Sequence, residues 1–453
     1  MNEHSPDVSA RLDRTQIDTL RDTTAFLIVE VTAPEVEDDA SRPEQPLNLG
    51  LVIDASGSMG GAAFHGQRTS RLEAARQAGS GVADRLSEDD VLSVVSFADD
   101  TLTHIAATSM SDSGRASASD AIRSIHTRGC TDMGAGWLKG AEHVARFMEQ
   151  HPGTRNRLLL LSDGHANRGV TEPDQLADTA AGLRDRGVNT STVGIGLDYS
   201  TDQLEVLAEH GGGMMHHAEY PEDIVAVILA ELNEMRTSVI ADLAVSVSQD
   251  EEDVDDSGNP SPSLNVSPVG YVSRDDDEVM TTPLGSLVSG ACRRVIFRIK
   301  VPQVRTRTDV TLTISVSWQE DEDNRKTDTQ QVTLTLDPNQ SNPRDRGLAK
   351  LAAQAWLDET VRQVMVMNRR ERYEQIRHWA KSERALFQHY CSRLPGGDEL
   401  IGQMNRLFDR VTRPMREMHR KEVSLRHMKG LKGMRDSRVF YAQRDLDSYL
   451  DEE

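Results

Sequence analysis

The amino-acid sequence predicts an α/β fold: a doubly wound, mostly parallel sheet, joined to an antiparallel β-sandwich and a C-terminal α-helical hairpin. Three observations predict it. Between residues 47 and 238, apolar strands alternate with amphipathic helices. From 239 to 340 the segments are β-branched and alternate in polarity, without a helical period. From 341 to 453 the spacing of apolar residues is helical. A chain of 453 residues has room for two or three such domains.

Residues 1–22 read as a polar N-terminal arm or short helix. Residues 23–46 hold the strand "TAFLIVEVTAP", assigned to the β-sandwich, and a polar linker. In the α/β segment the strands are "LNLGLVID", "VLSVVSFA", "RLLLLSD" and "NTSTVGIG". Strands this apolar need both faces covered, so helices must pack on each side. "RLEAARQAGSGVADRL", "GAGWLKGAEHVARFMEQH" and "PEDIVAVILAELNEM" supply them. The sandwich strands are "DLAVSVS", "SLNVSPVG", "RRVIFRIKVP", "VTLTISVSW" and "QQVTLTLD". In the C-terminal segment, Leu400, Met404, Leu407, Phe408, Val411, Met415 and Met418 repeat at helical spacing. "PGGDE" separates two long helices there, and Pro414 ends or kinks the second.

Composition narrows the function. The formal net charge of −22 speaks against a general nucleic-acid binder. No apolar run approaches the ~18 residues of a membrane span. The N-terminus lacks a basic start followed by an apolar run, so no secretory signal is expected. Cys130, Cys292 and Cys391 are far apart and odd in number, which predicts neither a metal spacing nor a disulfide framework. A reduced, cytoplasmic protein is expected. The segment after Arg344 is net basic, while the chain before it is strongly acidic.

"LVIDASGSMGG" carries the chemistry. A buried strand ends in Asp54, and Ser56 and Ser58 follow on alternate positions of a glycine-rich turn. A plain turn uses the same residue types. A phosphate-binding loop would need a lysine after its glycines, and none is there. An aspartyl nucleophile would need a lysine close by; Lys139 lies on a helix after a later loop. A plain turn and oxygen ligands for a hard cation both stay open for this motif taken alone. Two further loops resemble the first: "RGCTDMGAGW" holds Thr131, and "LLLLSDGHAN" ends a strand in Asp163. All three fall at one edge of one predicted sheet.

These three motifs, in this order, resemble the von Willebrand factor A (VWA) domain with its metal-ion-dependent adhesion site, the MIDAS. The family's D-x-S-x-S corresponds to Asp54, Ser56 and Ser58, its loop threonine to Thr131 and its later aspartate to Asp163. The resemblance covers about 190 residues. It implies a bound Mg²⁺ or Mn²⁺, with Ca²⁺ also admitted, and an open coordination position that an Asp or Glu of a partner completes. Mg²⁺ takes oxygen ligands and retains several waters, which suits two carboxylates among three hydroxyls. The wider architecture resembles prokaryotic VWA proteins with an added β-sandwich and helical C-terminal segment. That likeness implies service to an AAA+ ATPase, a kinase or a stress or defence assembly.

The expected function is therefore a non-enzymatic, metal-dependent protein-binding adaptor. A metal-dependent hydrolase or phosphotransferase is the second class, and a metal-free structural subunit the third. Weaker candidates are His216 and His217, the EF-hand-like "DVDDSGNPSPSL", His165 beside Asp163, Cys130 beside Thr131, and the basic stretch "RHMKGLKGMRDSR". Each has an ordinary reading as a sheet strand, an acidic loop, a rim residue, packing or a solvated helix end.

Overall fold

The computed structural model describes residues 5–36, 45–62, 69–163, 168–195, 201–218, 221–249, 261–271, 274–276, 279–321, 324–415, 420 and 423. In chain order, β1 (Asp7–Leu12), β2 (Gln16–Asp18) and β3 (Thr24–Thr32) come first. Next are β4 (Leu47–Asp54), α1 (Arg71–Ala83), β5 (Val91–Phe97), β6 (Thr101–Ser109), α2 (Asp112–Arg123) and α3 (Met133–Gln150). Then follow β7 (Arg155–Ser162), α4 (Pro173–Asp185), β8 (Asn189–Ile195), α5 (Thr201–His210), β9 (Gly212–Ala218) and α6 (Pro221–Thr237). The next strands are β10 (Ser238–Gln249), β11 (Asn265–Val269), β12 (Arg274–Asp276), β13 (Val279–Val288), β14 (Cys292–Lys300), β15 (Thr308–Asp321) and β16 (Asn324–Asp337). Helices α7 (Arg346–Arg369), α8 (Tyr373–Cys391) and α9 (Gly397–Val411) complete the described elements. The chain divides into two units: Glu37–Ser238, and the residues before and after it.

The first unit is the doubly wound layer. Its six strands run in the order β6-β5-β4-β7-β8-β9. All neighbours are parallel except β5 and β6. Side chains of β4 alternate between two cores, as a strand buried on both faces requires. Leu49, Leu51 and Ile53 join Ala74, Val82, Ile122 and Ile228 from α1, α2 and α6. Val52 joins Trp137, Leu176 and Leu204 from α3, α4 and α5. Helix α3 lies very close to the sheet: a Cβ on Gly140 would stand 2.3 Å from Val52 Cγ2.

The second unit has two sheets around one core. A four-stranded sheet has the order β1-β3-β14-β11, and a six-stranded sheet the order β12-β13-β10-β15-β16-β2. Val29 and Phe297 of the first meet Val245, Leu312 and Leu334 of the second. The other face of β3 presents Phe26 and Ile28 to Trp356, Phe387 and Tyr390 of the helical layer. Both faces of β3 are therefore covered, which explains its continuous apolar run.

One sequence expectation is corrected and one is extended. Residues 7–18 are not an arm: β1 pairs with β3 and β2 pairs in parallel with β16. Short polar edge strands take their structure from their neighbours, so their own sequence carries a weak signal. In the C-terminal segment α8 and α9 form the expected helix pair around the turn at 395–397, and a further helix, α7, precedes them. The break between α7 and α8 falls at Glu371, whose φ is 55°. No glycine or proline marks it. Met418 and the basic stretch 426–438 lie outside the described residues.

A buried carboxyl ties the sheet to the helices. Asp13 accepts hydrogen bonds from the Phe26 backbone N–H (2.8 Å) and the Tyr390 hydroxyl (2.7 Å). Burial pushes its pKa up from 3.8 to about 6, against those hydrogen bonds and the nearby Arg14 charge. Folding thus favours the neutral acid. Its contribution is largest below about pH 4 and is lost as pH rises toward 6, a change of ~3 kcal/mol at ~1.4 kcal/mol per unit. Asp13→Asn is expected to flatten that part of the stability profile. Urea unfolding at pH 4.5, 5.5 and 6.5 tests it; parallel profiles for the two proteins would count against the assignment.

Candidate metal centre

The site forms where the chain's winding reverses direction around β4. Strand β4 lies between β5 and β7, and Ile53 registers with Leu161. Two adjacent parallel strands therefore end together, one in Asp54 and the other in Ser162 and Asp163. This is the crevice where open α/β sheets place ligands.

Asp54 is fully buried. Its Oδ1 accepts the Ser56 backbone N–H at 2.8 Å, and its Oδ2 accepts the Ser162 hydroxyl at 2.5 Å. Burial pushes its pKa up to about 6; the Ser162 and Ser56 hydrogen bonds oppose this, and the Asp163 charge adds to it. A short 3-10 turn at Gly57–Gly60 follows, pinned by the buried Met59. Ser58 Oγ donates to Asp163 Oδ1 at 2.9 Å. Ser56 Oγ lies 3.0 Å from Ser58 Oγ. A hydroxyl has one proton, so Ser56 is the donor in that pair. Ser56, Ser58 and Asp163 thus form one continuous chain of oxygens beside Asp54.

The loop before α3 docks onto this turn through its backbone. Arg128 N–H donates to Ala55 O (2.6 Å), and Gly57 N–H donates to Gly129 O (3.0 Å). The Asp99 carboxylate fills the space beside Gly129, where a Cβ would fall 1.5 Å from Asp99 Oδ2 and displace it. Thr131 follows two residues later and is buried. Asp132 then caps α3 by accepting the Ala135 N–H at 3.0 Å. The structure thus joins Asp54, Ser56, Ser58 and Asp163 by hydrogen bonds and brings the Thr131 loop against the same turn.

Sequence reasoning missed two participants. Ser162 holds Asp54, and Arg71 donates from its Nη1 to Asp163 Oδ2 at 2.8 Å. Both stand in quoted segments, but only their positions in space reveal the contacts. His216, weighed as a ligand, lies 2.7 Å from Glu231, which also accepts the Ser191 hydroxyl at 3.0 Å. Burial raises the Glu231 pKa, but Arg157, His216 and Ser191 outweigh it and bring the value down to about 2. Glu231 of α6 is thus held in a buried cluster by Arg157 of β7, Ser191 of β8 and His216 of β9. The His217 side chain, His165 and residues 253–260 lie outside the described residues.

The donor set fits a hard divalent ion: two carboxylates and neighbouring hydroxyls, all oxygen. It contains only two acidic groups. Among the described residues, no group of three or more His, Cys, Asp or Glu side chains is placed to hold a metal. Any ion here would depend on the serine and threonine oxygens.

Comparison with known proteins bears on the fold that carries this site. Residues 48–228 match the von Willebrand factor type A domain model. The α/β unit has the VWA fold. Such domains are generally protein-interaction modules and often bind a divalent metal at a MIDAS. YfbK of Escherichia coli is 27% identical over 201 residues, covering 44% of this chain and 33% of that protein. Protein sll0103 of Synechocystis is 29% identical over 217 residues, covering 48% of each. The match thus spans between a third and a half of these relatives' lengths. A VWA structure from Catenulispora acidiphila superposes with a TM-score of 0.61 at 16% identity, covering 90% of this chain and 89% of that one. The ArnB paralog VWA2 from Sulfolobus acidocaldarius gives 0.54 at 14% identity, covering 97% and 100%. These likenesses concern fold and extend beyond the VWA domain. No described helix is long and apolar enough to cross a membrane.

Proposed function

We propose that this VWA domain binds a protein partner through a divalent ion, Mg²⁺ or Mn²⁺, held by Asp54, Ser56, Ser58, Thr131 and Asp163. When bound, the ion supplies a positive centre that an Asp or Glu of the partner can meet. The observation that carries the reading is the hydrogen-bonded run from Ser56 through Ser58 to Asp163, next to the buried Asp54. Asp54 and Asp163 bring negative charge; the hydroxyls bring neutral oxygens that leave that charge undiluted. Hydrogen bonds offset the burial of Asp54 only in part, so a cation has a reason to bind there. An AAA+ ATPase, a kinase or a stress or defence component is the kind of partner the family resemblance suggests.

Peptide display on the full chain in Mg²⁺ tests this reading. Enriched peptides are expected to contain Asp or Glu and to be released by EDTA. Replacing that residue with Asn or Gln should cost about 2–5 kcal/mol, roughly thirtyfold to several thousandfold in affinity. Peptides that lack acidic residues, or that stay bound in EDTA, would count against it.

A further inference from the structure

We infer that Arg71 is a resident counter-cation of this site, competing with the divalent ion for Asp163 and setting how tightly that ion is held. The inference rests on the metal reading above and adds a residue to it. Arg71 is the first residue of α1, and its placement is built in. The Ser70 side chain caps the helix by accepting the Glu73 N–H at 3.1 Å. Arg71 N–H donates to Gly61 O at 3.1 Å, and Ala62 bridges to Ser70. The helix start is thus tied to the turn that carries Ser56 and Ser58.

From that anchor the guanidinium reaches into the site. Nη1 lies 2.8 Å from Asp163 Oδ2 and 3.4 Å from Ser58 O. The Arg71 side chain is 16% exposed and the Asp163 side chain 3%. A pair this buried is weakly screened by solvent. Both Asp163 oxygens are therefore engaged, Oδ1 by Ser58 and Oδ2 by Arg71.

Charge counting gives the consequence. Asp54 and Asp163 contribute −2 when ionised, and Arg71 returns +1. The resident guanidinium thus offsets half of the charge available to a divalent ion, and its repulsion of that ion persists after loading. The loaded site then carries a surplus positive charge, which favours an anionic group arriving from outside. Without Arg71 the loaded site would be neutral before any partner arrived. A fixed arginine therefore weakens cation binding while keeping the loaded site attractive to a carboxylate.

The test is Mn²⁺ binding to the full chain, followed by electron paramagnetic resonance, with the parent, Arg71→Gln and Arg71→Lys. Arg71→Gln is expected to bind Mn²⁺ at least about tenfold more tightly, because a neighbouring like charge has gone. In EDTA it is expected to melt below the parent, because Asp163 has lost its partner. Arg71→Lys retains the charge on a shorter reach and should have an intermediate Mn²⁺ affinity; it carries the test if the Gln variant does not fold. Affinities equal to or weaker than the parent's would overturn the role of Arg71 and leave the metal reading intact. Absence of Mn²⁺ binding in the parent and both variants would overturn the metal reading, and this inference with it.

Discussion

Asp54→Asn is expected to lose Mn²⁺ binding by at least about a hundredfold while its metal-free form melts no lower than the parent. The side chain is fully buried at the end of β4, so the replacement must preserve its shape. Asparagine can do so. One oxygen accepts the Ser56 N–H that now meets Oδ1, and the amide can donate to Ser162 once that hydroxyl turns to accept. What changes is charge. The site keeps Asp163, but Arg71 already offsets that carboxylate. A divalent ion would then meet almost no net negative charge. Calorimetric titration of parent and variant with Mn²⁺, with thermal melts in EDTA, measures both parts. Equal metal affinity would remove Asp54 from the site. Lost affinity with a collapsed melt would mean that the residue acts through the fold.

Glu383→Ala is expected to destabilise the two-sheet and helical unit by about 3–5 kcal/mol. Glu383 Oε1 lies 2.7 Å from Arg298 Nη1 and also accepts from Trp356 Nε1. The Arg298 and Glu383 side chains are 12% and 7% exposed. The guanidinium also lies over the Trp356 ring, 3.8 Å from its centroid. Truncating the glutamate leaves a buried cation and an indole N–H without their acceptor. Replacing both charges with apolar side chains of similar volume, as in Arg298→Met with Glu383→Leu, should be far milder because no orphan charge remains. Urea unfolding of the single and double variants compares the two. A double variant as unstable as Glu383→Ala would place the cost in packing rather than in the unpaired charge.

The site was more legible in the sequence than the parts around it. Asp54 and Asp163 each end an apolar run, and a parallel sheet brings such ends to one edge. Ser56 and Ser58 sit in the turn that Asp54 opens, so spacing alone grouped them. Arg71 has no such signal: it is the first residue of a helix, and it reaches Asp163 only through the fold. Ser162 directly precedes Asp163, but its contact is with Asp54 on the neighbouring strand. The same contrast holds for the architecture. Strands β4, β5, β7 and β8 are buried on both faces and announce themselves by composition. Strand β6 is a half-exposed antiparallel edge, and β2 has three residues held by β16. Strand β2 takes its structure from a partner far away in the chain, and β6 from pairing with β5 just before it. The α7–α8 break at Glu371 rests on one residue with positive φ, in a run of good helix formers.

The most direct test of the metal centre is anomalous diffraction from crystals of the full chain grown with Mn²⁺. The account predicts a single strong peak in the VWA domain, within about 2–2.5 Å of the Ser56 and Ser58 hydroxyl oxygens and beside Asp54, Thr131 and Asp163, absent from crystals of Asp54→Asn. A peak elsewhere in the domain, or none in the parent at saturating Mn²⁺, would contradict it.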